Sequence, residues 1–242
     1  MVFNFKNVGL VGNIGTSSGG SATYFDSFTS GSNWAEHPTD TGYAITGGKL
    51  VGTNIGRQFN VPKGIALDLT QAGVLGKSLD DTKWEIRVKL DVTVLRNINS
   101  SVGISVVLGV TNKDENFNFA GVNHIGVLAN IHTGSSTTLY QYHQVYSSLT
   151  SVGDVQSISN AKDPVAQLYF MTIRRESATL FTYKLSTTAY GDGTFMTLSA
   201  IMNASQIGLD HLNCVNYSTN GTNNNGIDYT LDDLEVYDEI NL

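Results

Sequence analysis

Apolar and polar positions alternate along this chain in short runs, and no stretch of useful length repeats at the spacing of a helix. The clearest pattern lies at 168–198. Leu168 to Ile173 is β-branched, aromatic and aliphatic. Arg174-Arg175-Glu176-Ser177 interrupts it, and Ala178 to Leu185 then alternates, with Leu180 and Thr182 facing away from Phe181 and Tyr183. Two such runs across a short polar connection predict an antiparallel hairpin. Tyr190-Gly191-Asp192-Gly193 supplies a second turn, with glycine free to take positive φ, and feeds a third strand from Thr194 to Leu198.

The rest of the chain reads the same way. Tyr24-Phe25-Asp26-Ser27-Phe28 and Trp34 open a body. Tyr43 to Leu50 holds the pair Gly47-Gly48, which marks a tight turn between two short strands, and Ile65 to Leu69 is another strand. Gln71 to Asp81 reads as a loop or helical turn. Trp84 to Val92 alternates apolar with charged residues and predicts a strand with one solvated face. Ser101 to Val110 is more continuously apolar and predicts a central strand. Strands follow at His124 to Ile131, Thr138 to Val145, within Gln206 to Tyr217, and at Tyr229 to Tyr237. About a dozen short strands with turn signals between them predict an all-β sandwich or barrel. Before it, residues 1–23 carry an apolar patch and a Gly/Ser-rich stretch, which reads as an arm and linker; residues 24–242 form the domain.

Composition narrows the function classes. The chain has 242 residues, a length at which a sandwich is commonly one domain, and a formal net charge of −7. That charge argues against nucleic acid and against a polybasic membrane patch. No run nears the roughly 18 apolar residues of a membrane span, so no membrane insertion is expected. The single cysteine, Cys214, excludes an internal disulfide framework and reads as a buried strand residue. The first residues lack the basic and long apolar regions of a signal peptide. Gly73 to Ser78 ends like a phosphate-binding loop, but Gln71 stands where its leading glycine would be. The five histidines show no metal-ligand spacing.

Four pieces in order resemble the concanavalin A-like lectin/glucanase superfamily over residues 24–238. They are Phe25-Asp26-Ser27-Phe28 with Trp34; Gly47-Gly48-Lys49-Leu50; Phe170 to Arg175 with Phe181-Thr182-Tyr183 and Gly191 to Phe195; and Ile207-Gly208-Leu209 with Tyr229 to Tyr237. The resemblance implies a jelly-roll sandwich of two antiparallel sheets. Ser177 and Phe195 depart from it, standing where the family often has Gly and Trp. The family's laminarinase-type members carry Glu-x-Asp-x-x-Glu on one inner strand, at the spacing of a retaining mechanism. Nothing here matches that pattern: Asp114-Glu115 lies in a loop with no partner carboxylate in register. No catalytic residues are expected. The resemblance also implies a structural Ca²⁺ at Asp232 and Gly48; Asp232 reads more readily as a solvated carboxylate capping a strand.

Glycan binding needs an aromatic platform beside amides and carboxylates. Two stretches offer it: Asn116, Phe117 and Phe119 in a polar loop, and Tyr140, Tyr142 and Gln144 on one face of a strand, which could equally pack across strands. The expected function is a non-enzymatic component of a larger assembly, a virus-particle decoration, fibre or tail protein. Arm 1–23 would dock on neighbouring subunits and the sandwich would hold cell-surface glycan. The expected location is a virion or extracellular surface. A free-standing carbohydrate-binding module or lectin is the alternative, and a glycoside hydrolase or lyase with unrecognised residues a third.

Overall fold

The computed structural model describes residues 22–31, 33–37, 42–55, 63–96, 103–112, 124–133, 139–147, 167–192, 195–201, 207–218 and 226–239. Among the described residues there are fourteen strands and no helix. They are β1 (Tyr24–Asp26), β2 (Trp34–His37), β3 (Tyr43–Thr46), β4 (Lys49–Ile55), β5 (Lys63–Asp68), β6 (Trp84–Arg96), β7 (Gly103–Thr111), β8 (His124–Thr133), β9 (Leu139–Ser147), β10 (Leu168–Arg175), β11 (Leu180–Ser186), β12 (Met196–Ile201), β13 (His211–Ser218) and β14 (Gly226–Asp238). Two antiparallel sheets result. The larger runs β12-β11-β10-β6-β14-β4-β3, with β1 also on β14; the smaller runs β2-β5-β13-β7-β8-β9. One apolar cluster lies between them, drawing Leu50, Trp84, Ile86, Met171, Phe181 and Val236 from the larger sheet and Ile65, Leu67, Val107, Leu212 and Cys214 from the smaller. Tyr229 of β14 donates from its hydroxyl to the Val107 carbonyl of β7 at 3.3 Å, tying one sheet to the other.

The predicted hairpin is β10–β11, in register from Phe170↔Ser186 to Arg175↔Phe181, and β11 pairs on with β12 from Leu180↔Ile201 to Leu185↔Met196. Its turn differs from the expected one. Arg174 and Arg175 belong to β10, and the chain reverses over Glu176 to Thr179, closed where the Glu176 N–H donates to the Leu180 carbonyl at 2.9 Å. The reason is Arg175, whose side chain points into the core and is fully buried. Its guanidinium donates to the carbonyls of Ser177 at 3.3 Å and Ala178 at 3.0 Å, holding the turn from inside.

β6 also departs from expectation. Trp84, Ile86, Val88, Leu90 and Val92 face the core, as the alternation predicts. The charged face, expected in water, is covered at its start: Glu85 and Arg87 are both buried. Tyr237 and Tyr190 lie over it, their ring centres 4.5 and 6.0 Å from the Arg87 guanidinium carbon. Alternation identifies the two faces of a strand but not what a later loop lays across one of them. Residues 1–21 of the expected arm lie outside the described residues; the Thr23 N–H donates to Val236 at 2.8 Å, where pairing with β14 begins.

Candidate functional site

Of the glycan-site residues expected from sequence, Asn116, Phe117 and Phe119 lie outside the described residues. Tyr140, Tyr142 and Gln144 occupy alternate positions of β9, the edge strand of the smaller sheet, in register with His132, Asn130 and Leu128 of β8.

By strand register Asp232 and Gly48 fall at the same end of the larger sheet. Gly47 and Gly48 take φ of 61° and 73°, the paired left-handed conformation of a two-residue hairpin turn, and join β3 to β4 across Thr46↔Lys49. β14 pairs with β4 through Leu231↔Leu50, so Asp232 is the next residue toward that turn. The Ser27 carbonyl stands 3.6 Å from where a Cβ on Gly48 would sit. Immediately beyond, β14 bulges between Asp232 and Glu235, with Asp233 at φ 50°. Asp232 Oδ1 accepts the Asp233 N–H at 2.9 Å, and Asp233 Oδ2 pairs with the Lys89 ammonium. That hydrogen bond to Asp233 raises the Lys89 pKa. Among the described residues no three His, Cys, Asp or Glu side chains gather as a metal centre. The oxygens of Asp232, Ser27 and Gly48 suit a hard cation, but Lys89 already supplies positive charge beside them.

The outer face of the larger sheet carries a second constellation, one that follows from strand register. Residues opposite one another in paired strands share a face. One row therefore runs Glu85, Arg174, Thr182 across β6, β10 and β11; the next runs Phe25, Glu235, Arg87, Thr172, Lys184 across β1, β14, β6, β10 and β11. Charges alternate along these rows and pair. Glu85 accepts from Arg87 Nε through Oε1, its Oε2 lies 3.4 Å from Arg174, and Arg87 lies 3.9 Å from Glu235. Tyr237 donates to Glu235 at 2.7 Å; burial first, then that carboxylate, pushes its phenol up to about 12.

The turn after β11 folds back over this face. The Gly191 N–H donates to Thr172 Oγ1 and Lys184 Nζ donates to the Gly191 carbonyl, each at 3.1 Å. The Tyr190 ring stands edge-on against Phe170 at 5.1 Å. Between turn and sheet lies a small open pocket of about 20 Å³ lined by Glu85, Thr172, Arg174, Thr182, Lys184 and Gly191. Phe25, at the far end of the second row, is 53% exposed. Sequence reading does not find this group. Its members come from the β10–β11 hairpin, the turn after it and the distant strand β6, and only register brings β6 beside the other two.

No family sequence model matches the chain, and no curated protein matches it by sequence. In shape it is similar to the CBM2 module of the evolved Dit of Lactobacillus casei BL23 phage J-1, with a TM-score of 0.56 at 10% identity over 92% of this chain and 97% of that one. It is similar to the exoplasmic/lumenal domain of VIP36 in its Ca²⁺/Man3GlcNAc-bound form, with a TM-score of 0.55 at 10% identity over 91% and 90%. A Bauhinia forficata lectin in complex with GalNAc gives 0.55 at 10% identity over 89% and 95%. The chain thus has the concanavalin A-like jelly-roll fold that its sequence pieces resemble.

Proposed function

We propose that this domain is a non-enzymatic glycan-binding component of a larger assembly, a virus-particle protein at a virion or extracellular surface. The observation that carries the reading is the near end-to-end likeness to a phage Dit carbohydrate-binding module and to lectins solved with bound sugar. The outer face adds polar side chains between the aromatic residues Tyr190 and Phe25, the kind of surface that sugars occupy. The test is a glycan array probed with the full chain. Binding that falls on Tyr142→Ala or Phe117→Ala supports the reading and the sequence-derived platform; no binding to any glycan overturns it.

A free-standing lectin is the second reading, favoured by the likeness to the Bauhinia and VIP36 domains. Native mass bears on the choice, since a monomer overturns the assembly reading and leaves the free-standing one. Asp232 with main-chain oxygens of Ser27 and Gly48 would hold calcium, and the ion would brace the end of the larger sheet. Lys89 makes that site weak. Millimolar calcium is expected to raise the melting midpoint by about 1–2 °C, chelator to reverse it, and Asp232→Asn to remove it, because ligands stabilise only by binding the folded state. An unchanged midpoint in calcium would exclude the site.

A further inference from the structure

We propose that the pocket on the outer face of the larger sheet receives a carboxylate carried by a sugar ring, making it a subsite for acidic glycan. The inference rests on the glycan-binding reading and adds a place and a ligand chemistry to it. Its basis is an accounting of donors and acceptors around the pocket. The acceptors are already committed: Glu85 is engaged through Oε1 by Arg87 and lies 3.4 Å through Oε2 from Arg174, and Glu176 takes the Thr182 hydroxyl proton. The donors are in surplus. Arg174 Nε is buried and has no hydrogen-bond partner among the described residues. Lys184 brings three ammonium protons, and its one hydrogen-bond acceptor among the described residues is the Gly191 carbonyl. Thr172 Oγ1 accepts from Gly191, which leaves its own proton to give, and Thr172 is 3% exposed.

A pocket lined by a guanidinium, an ammonium and a hydroxyl, with its own carboxylate spent on two arginines, fits an oxyanion better than a neutral hydroxyl. Its formal charge from Glu85, Arg174 and Lys184 is positive, on a chain whose net charge is −7. The cavity itself is small, about 20 Å³, room for one small polar group, so it would take the carboxylate alone while the sugar ring that carries it lies outside. Toward Phe25 the row is covered, because Tyr190 and Tyr237 lie over Arg87, so the rest of the sugar chain would leave by the pocket's open side.

The experiment is an NMR titration of the full chain, following the Arg174 Nε–H signal. The probes are trigalacturonate, its methyl ester and sodium acetate, with Lys184→Gln and Arg174→Gln as variants whose folding is checked by melting. Trigalacturonate is expected to shift the Arg174 signal, the ester not to, and Lys184→Gln to weaken binding at least about tenfold, the value of one hydrogen bond to a charged group. Equal binding of acid and ester, or normal binding by Lys184→Gln, overturns the subsite even if glycans bind elsewhere on the domain. Should acetate compete as well as trigalacturonate for the Arg174 signal, an anion pocket remains but the sugar assignment is overturned. A failure to bind any glycan on the array is a separate result, and it overturns the broader reading.

Discussion

Gly52 shows how tightly single positions are determined. It sits on β4 in register with Tyr43 on one side and Tyr229 on the other, and those rings meet edge-on at 6.4 Å with their hydroxyls 3.3 Å apart. A Cβ on Gly52 would stand 2.9 Å from Ile55 Cγ1 and 3.2 Å from each ring. Gly52→Ala is therefore expected to cost about 1–3 kcal/mol through overpacking, read as a lower denaturant midpoint with unchanged slope. Sequence alone treats this glycine as one among 25, because nothing local marks two aromatic neighbours supplied by strands nine and 177 residues away. Asp26 is the opposite case. Its place in the Phe25–Phe28 resemblance is legible, and the carboxylate does local work: it accepts the Phe28 N–H at 2.7 Å, where φ is 52°, and Trp34 Nε1 at 2.9 Å.

Strands and turns are where the sequence is most informative. The Gly47-Gly48 turn, the meander β10–β11–β12 and the final strand all follow from period-two alternation and turn residues, which are local signals. The bulge in β14 is invisible to that logic. Asp232 and Asp233 simply continue an alternating run, and only pairing with β6 reveals one residue too many. Asp233 at φ 50° adopts a conformation natural to glycine and tolerated by aspartate. Asp233→Ala is expected to lose about 1–2 kcal/mol from that backbone strain alone. Asp233→Gly should recover most of it in a paired unfolding experiment, although both variants forfeit the Lys89 pair. Similar losses for the two would mean that the ion pair, not the backbone, carries the effect. The outer-face pocket is illegible for a related reason: the alternation places Glu85, Thr172 and Lys184 on polar faces, while their adjacency depends on register between distant strands.

At the scale of the whole molecule, buried phenols link stability to pH. Burial raises the pKa of Tyr43, Tyr183 and Tyr229 in the core, and of Tyr190 on the outer face. It also takes Tyr24 to about 12, with Asp26 adding to it. The folded state thus holds these protons more tightly than the unfolded chain, so their contribution is complete below pH about 10 and is lost as pH climbs above it. Tyrosinate absorbance of the core residues is expected to appear together with loss of structure in an alkaline titration; a non-cooperative rise below the unfolding transition would contradict this packing. The arm is tested at the same scale. A chain starting at Ser21 retains every described strand, and if residues before it dock on neighbours it melts like the full chain but remains a monomer in native mass measurements. Equal masses would remove the arm as an assembly device.

The position of β14 carries one last consequence, for how the protein is made. This strand lies between β6 and β4 and also pairs with β1, so the two parts of the larger sheet, β12-β11-β10-β6 and β4-β3, are joined through it. On a ribosome both parts emerge before residues 226–238 do, β4-β3 by far the earlier. Until then β6 and β4 each present an unpaired edge, the kind of surface that adheres to other nascent chains. Each polypeptide must wait for its final strand before its largest sheet exists, and a message cut short before codon 226 yields two open sheet fragments in place of a slightly smaller domain.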